Sequence, residues 1–383
     1  MDLLDGVFGT VGVGTATDDR ALLDALCETE TALARACTRA GLIDLATALE
    51  IGVACDQVRS ALPPAELGRR AAAGGNPVIP LVEELRRVVD ERSGADAAAA
   101  VHLGATSQDV LDTALMLVAS RALGVILGDL GDCANAAASL ARSHRDTRMA
   151  ARTLLQQAVP TTFGALAAVW GSALDRARKN LAAVRDTLPV SLGGAAGTLA
   201  VLHPHGFDVV AAFADELELA VPTGVWHGDR TVVHELAGAL GTSAAAVAKT
   251  ALDVVLLAQS ELGELREAAP GGSSAMAHKR NPIAAVTSRA AAAQAPGFVA
   301  TLLSCSPELQ RGAGGWHAEW PALLGLLRCT GGAAARLRTS LLSLEVDTDA
   351  MARNLATLDG TVDITDVGHA GDLVDRYLDG RAS

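Results

Sequence analysis

The residues best equipped for chemistry stand together between Gly271 and Pro282, in the run Gly-Gly-Ser-Ser-Ala-Met-Ala-His-Lys-Arg-Asn-Pro. Ser273, Ser274, His278, Lys279, Arg280 and Asn281 offer hydroxyls, positive charge and an amide where a buried helix would carry none of them. On composition alone the stretch is equally a solvated connection, because Gly, Ser and Lys are ordinary loop residues. Three other places carry polar groups at informative spacings. Thr106-Ser107-Gln-Asp109 has the form of a helix start, in which a hydroxyl residue caps and a following acid supports the first turn. A helix N-terminus is also an anion site, so capping and ligand binding are compatible there. Gln157, at the end of Arg152-Thr-Leu-Leu-Gln-Gln, is either a donor to a carboxylate or an amide tied into the core. Arg311 and His317, in Gln-Arg-Gly-Ala-Gly-Gly-Trp-His-Ala-Glu-Trp, are either carboxylate partners or members of a surface ion pair with Glu319.

Other polar residues point less far. His102 reads as a satisfied structural histidine, and Trp226-His227 receives no role. His144, His203, His205 and His234 show no metal-binding spacing, and no acidic cluster suits Mg²⁺. The paired glycines at 193–194 and 271–272 lack the strand and helix context of a nucleotide loop. No metal and no cofactor are expected.

The elements that must hold these groups are helical. In 383 residues, 50% are hydrophobic and only 3% aromatic, which disfavours an all-β chain and leaves Ala, Leu and Val to build the core. The net charge of −13 disfavours a nucleic-acid partner, which needs a basic stripe, but leaves room for an anionic small molecule held by a local group of cations. Six cysteines without a CxxC pair read as reduced core residues of a cytoplasmic protein. The start of the chain lacks a basic segment before an apolar one, and Arg121 and Asp129 interrupt the longest apolar run, so neither a signal peptide nor a membrane span is expected.

Apolar residues at steps of three and four predict a helical pair over residues 18–58, broken at Gly41, and a short helix over about 81–91. Longer helices are predicted over about 108–146, 162–187, 204–217, 230–268 and 282–304. The fourth of these would span roughly 45–50 Å at 1.5 Å per residue. The expected fold class is all-α: a long central bundle over 101–345, a smaller N-terminal helical domain over 1–100, and a short C-terminal remnant over 346–383 with two short helices.

The Gly-rich loop closely resembles the signature of the fumarase/aspartase superfamily, GSSxMPxKxNP; GSSAMAHKRNP departs from it at Ala277, where the pattern has Pro. Val101–Ala114 and Arg152–Trp170 resemble two further regions of that superfamily. SLGGAAGTLA (191–200) and WHAEW (316–320) are similar to its 3-carboxy-cis,cis-muconate cycloisomerase branch. The last forty residues fall short of the longer third domain common in relatives.

What the resemblance implies can be put chemically. A proton moves to or from a carbon next to a carboxylate, and charge collects there as an enediolate-like species that needs several donors. The resemblance makes Ser273 the acid or base, with Lys279 and Asn281 stabilising charge and Thr106 and Ser107 as hydroxyl donors. Arg280 and Arg311 add to a local cationic cluster. An ordinary serine is far too weak an acid for this, so its surroundings must favour the alkoxide. Leu154 stands where many amine-releasing relatives carry a histidine. An amine needs a proton to leave and a carboxylate does not, so Leu154 fits lactonisation of a polycarboxylate, here a carboxymuconate. Nitrite also leaves unaided, and the alternative is therefore a lyase of the same superfamily acting on a substituted succinate, a nitrosuccinate- or adenylosuccinate-type elimination that releases fumarate or a similar product. From a different class, a non-catalytic scaffold that kept the helical bundle and lost turnover is the other alternative, motivated by Ala277 and the short C-terminus. The resemblance further implies a homotetramer whose active sites are shared between subunits.

Overall fold

The computed structural model describes residues 4–276, 278–358 and 360–382. Ala277, where the signature departs from its relatives, lies outside the described residues. Short helices α1 (Asp5–Phe8) and α2 (Val11–Thr17) lead into α3 (Asp19–Arg39), α4 (Leu45–Ala61), α5 (Pro64–Gly74), α6 (Val78–Ser93) and α7 (Ala95–Ala99). Gly41 takes φ 72° and stops α3, as its position in the sequence predicts. The bundle is built from α8 (Ser107–Ser143), α9 (Phe163–Arg185), α11 (Thr231–Leu257), the consecutive α12 (Ile283–Ala292) and α13 (Ala295–Ser304), and α14 (Gly315–Leu342), while α10 (Gly206–Leu217) packs on α3. The tail forms α15 (Thr348–Ala356) and α16 (Ala370–Ala382).

Helix α8 runs through the core. Ala119, Ala122, Ala134, Ala137 and Ala141 are buried along it, and these small faces let α9 and α14 approach closely. At Gly164, opening α9, a β-carbon would lie 2.7 Å from the His144 carbonyl oxygen, so only glycine fits. One hydrophobic core extends from Val13 to Val374. The six cysteines are free and buried. Burial pushes the Cys27 thiol up to about 12 and those of Cys37 and Cys329 up to about 11.

The structure corrects two expectations. The helix predicted over 230–268 stops at Leu257, because a turn through Gln259–Gly263 returns the chain so that Glu264 N–H meets the Leu257 carbonyl. The helix predicted over 282–304 is two helices, since Pro296 has no N–H to continue a ladder and sits instead in the first turn of α13. By length and composition α8 and α11 could each cross a membrane, despite Arg121 and Asp129. The apolar window of α8 is 72% buried inside the molecule against 44% for α11, so α8 is a core helix and α11 is less enclosed.

Two small sheets complete the fold. Where helical periodicity lapses after Asp146, β1 (Arg148–Thr153) and β2 (Gln156–Thr162) form an antiparallel hairpin with Thr153 opposite Gln156. Beyond α11, β3 (Leu265–Glu267) pairs antiparallel with β4 (Leu344–Val346), and the Gly-rich loop connects β3 to α12.

Candidate active site at the two ends of the bundle

Thr106 caps α8 through a reciprocal capping box with Asp109, and Ser107 is the first residue of the helix. Asp109 does more than cap. Its buried carboxylate accepts the N–H groups of Thr106 (2.9 Å), Gly193 (2.8 Å) and Gly194 (2.9 Å) and the Ser191 hydroxyl (3.3 Å), and His227 Nε2 lies 2.5 Å away. A carboxylate saturated in this way is stable in a dry site and ties the α8 N-terminus to two loops. Gly194 has φ 74°, and a β-carbon there would lie 2.8 Å from the Gly104 carbonyl. One turn further along α8, Asp112 accepts both terminal nitrogens of Arg230 (2.7 and 3.1 Å) and the Trp316 indole N–H (2.9 Å). Arg230 also binds Glu319 at 2.6 Å. Burial works against the Arg230 charge, but Asp112 and Glu319 outweigh it and hold the guanidinium protonated.

Around this core lie the other residues expected at the site. Arg311 donates to the carbonyls of Gly194 (3.2 Å) and Ala195 (2.9 Å), locking its loop over the 191–199 segment. His317 is exposed, with its ring 5.2 Å from that of Trp316 and 4.8 Å from that of Trp320. The alternative of a surface ion pair between Glu319 and Arg311 or His317 is overturned: Glu319 is 2% exposed and already bound by Arg230. His102 bonds Glu30 across 2.7 Å, as a structural histidine should, and burial's downward pull on its pKa is outweighed by the Glu30 carboxylate, which raises it.

The Gly-rich loop sits elsewhere. Its base is closed by paired backbone bonds between Gly271 and Asn281, and the Asn281 amide donates to the Gly271 and Gly272 carbonyls at 3.4 and 3.3 Å. Asn281 therefore shapes the loop here, where the resemblance implied a charge stabiliser. Ser273 Oγ accepts N–H bonds from Ala275 (3.3 Å) and Met276 (3.1 Å). Two donors aimed at one hydroxyl oxygen favour its anionic form, which is what a serine acid or base requires. Lys279 and Arg280 are exposed, and Arg280 lines a cavity of ≈ 360 Å³ with Arg266, Glu267 and Glu345. Glu267 accepts the N–H groups of Ala284 (3.1 Å) and Ala285 (2.9 Å), fixing where α12 begins after the loop.

Beside this loop stands the hairpin. Leu154 and Leu155 form its two-residue turn at φ 53° and 62°, and Leu154 is 97% exposed. Arg152 binds buried Glu264 through both terminal nitrogens (2.9 and 2.7 Å), and Glu264 directly precedes β3. Gln157 is exposed on β2, not tied into the core, and meets the Thr357 hydroxyl at 2.6 Å.

The candidate residues thus fall into two groups at opposite ends of the bundle. Thr106, Ser107, Arg311 and His317 gather where α8 begins; Ser273, Lys279, Arg280, Asn281 and Gln157 gather around the hairpin and loop beyond its far end. The 37 residues of α8 separate the groups by roughly 55 Å at 1.5 Å per residue. A single chain does not bring them together.

Sequence reasoning missed Asp109–His227, Arg230–Asp112–Glu319 and Thr357. A signal for the first two was present, since two acids inside the apolar run of α8 require partners once buried. Thr357 gave none.

A family model described as "Lyase" matches residues 14–297. Nitrosuccinate lyase of Streptomyces davaonensis is 44% identical over 372 residues, covering 94% of this chain and 78% of the relative. 3-carboxy-cis,cis-muconate cycloisomerase of Bradyrhizobium diazoefficiens is 41% identical over 365 residues, covering 94% of this chain and 80% of the relative. The crystal structure of 3-carboxy-cis,cis-muconate lactonizing enzyme from Pseudomonas putida superimposes with a TM-score of 0.91 at 31% identity, covering 99% of both chains. With these matches over nearly its whole length, the chain belongs to the fumarase/aspartase superfamily of enzymes.

Proposed function

We propose that the protein is a 3-carboxy-cis,cis-muconate cycloisomerase. The observation that carries this reading is the pairing of an alkoxide-favouring turn at Ser273 with an apolar hairpin tip at Leu154–Leu155. The tip offers no imidazole to protonate an amine, whereas a carboxylate oxygen makes or breaks its bond to carbon without one. In the reaction, a carboxylate oxygen of the substrate adds to one carbon of the diene. The electron pair of that double bond moves to the carbon beside another carboxylate, and Ser273 Oγ–H delivers a proton to this carbon. Lys279 and Arg280 stabilise the intermediate charge, and Gln157 and the Thr106–Ser107 turn hold the outer carboxylates of the trianion. No group beyond the chain's own residues enters these steps.

Because the two groups of residues lie roughly 55 Å apart, the reading includes a homotetramer in which the α8 end of one copy meets the loop end of another. The division at residues 100 and 345 then assigns the contact between copies and the chemistry to the central segment. The protein acts in the cytoplasm on a small polycarboxylate, with no nucleic-acid or membrane partner. Loss of ultraviolet absorbance from 3-carboxy-cis,cis-muconate, with the lactone as product, tests the assignment.

The 44% identity to a nitrosuccinate lyase favours a second reading, elimination of nitrite from nitrosuccinate with Ser273 as base. Nitrite release in the same preparation, with no loss of muconate absorbance, would establish it instead.

A further inference from the structure

The C-terminal tail is joined to the hairpin at several points. Leu355 and Leu358 pack on Ala150, and Val362 and Ile364 add to that cluster. Asn354 Nδ2 donates to Glu264 Oε1 (2.7 Å) and to the Leu262 carbonyl (3.0 Å), so the acid that holds Arg152 is also held from α15. The tail therefore fastens the hairpin to the strand that leads into the Ser273 loop.

At the centre of this joint, the Thr357 hydroxyl lies 2.6 Å from Gln157 Oε1 and 2.7 Å from its own helix's Asn354 carbonyl. Its single proton is contested by these two acceptors, and given to Gln157 Oε1 it ties the Gln157 side chain to α15. With Oε1 occupied, the other end of the amide is its NH₂ group, a two-proton donor suited to a carboxylate. Gln157 itself lines a groove of ≈ 730 Å³ along with Arg152, Gln156 and Lys249. We infer that Thr357 is a positioning residue that orients the Gln157 amide so that its NH₂ faces a substrate carboxylate, which makes the short tail part of the binding site. This rests on the reading that Gln157 binds substrate.

The test compares wild type with Q157A, T357V, T357S and Q157A/T357V in the full chain. It uses the KM for the substrate turned over, carboxymuconate or nitrosuccinate, and the calorimetric Kd of tricarballylate as a probe that needs no turnover. T357V should raise KM and Kd roughly three- to tenfold, the range of one hydrogen bond, with kcat little changed and thermal melting unaltered. T357S should restore most of the loss, and T357V should add nothing in the Q157A background. Unchanged KM and Kd in T357V, or an equal loss with and without Gln157, would overturn the inference. Unchanged KM and Kd in Q157A would also overturn it by removing Gln157 as a ligand, while wild-type turnover of carboxymuconate would leave the proposed reaction standing.

Discussion

The two ends of the bundle solve opposite problems with similar residue types. At the start of α8, charged groups are buried and fully paired: Asp109 is saturated with donors, and Arg230 is shared between Asp112 and Glu319. At the far end, Lys279 and Arg280 are exposed and the Gly-rich loop is closed mainly at its base. The first arrangement preorganises donors for an anion at the cost of desolvating several charges. The second leaves the Ser273 hydroxyl only half-buried, held by two N–H groups of its own turn. In the proposed reaction, Ser273 and Gln157 act from the exposed end and the Thr106–Ser107 turn from the buried one, and the proposed assembly of copies is what would join them.

The sharpest way to break this comparison is Ser273→Ala. It should lower kcat by about a thousandfold, within the range of a lost acid or base, and leave the circular-dichroism melting curve where it is, since the hydroxyl supports only its own turn. Normal turnover in this variant would remove the loop end from the chemistry. Arg230→Met should do the reverse. It leaves Asp112 and Glu319 buried without their cation, for a loss of about 3–5 kcal/mol in urea unfolding. Arg280→Met, at the exposed end, should leave that unfolding curve unchanged while raising KM. Equal stability losses in the two arginine variants would erase the contrast between the ends.

Assembly sharpens the comparison further. An inactive Ser273→Ala protein and an inactive Thr106→Ala/Ser107→Ala protein, mixed through mild denaturation and refolding, should regain activity that neither has alone. Some mixed sites then combine an intact loop end with an intact α8 end. Recovery to no more than the separate activities would show that one chain supplies both groups.

How much was legible in the sequence follows the same division. The bundle was readable because Ala and Leu recur at helical steps through α8 and α11, and Thr106 with Asp109 announced the start of α8. The Ser273 loop was readable because its spacing is long and specific. The ends of elements were harder: Leu154 and Leu155 adopt positive φ without glycine or asparagine, so no local turn residue marked the hairpin. Partners distant in sequence were not readable at all. Arg230 meets Asp112 and Glu319, and Thr357 meets Gln157, only through tertiary packing.

The smallest expected effect lies in the anchor of the α8 end. His102, at φ 65° just before the Thr106 turn, bonds buried Glu30 and is also faced by Asp109, which supports its charge, and by Arg86, which opposes it. Burial disfavours the imidazolium, yet the acids win and its pKa in the folded chain lies above the ordinary value of about 6.5. The folded state therefore binds this proton more tightly than the unfolded chain. Its contribution to stability is fully present below about pH 6.5 and is lost as pH rises through the raised folded value. Urea unfolding of wild type should show a decline across that interval that is missing in His102→Gln, which keeps a hydrogen-bonding group but cannot titrate. A decline retained in His102→Gln would place the titrating group elsewhere and leave the α8 end held by Asp109 and Arg230 alone.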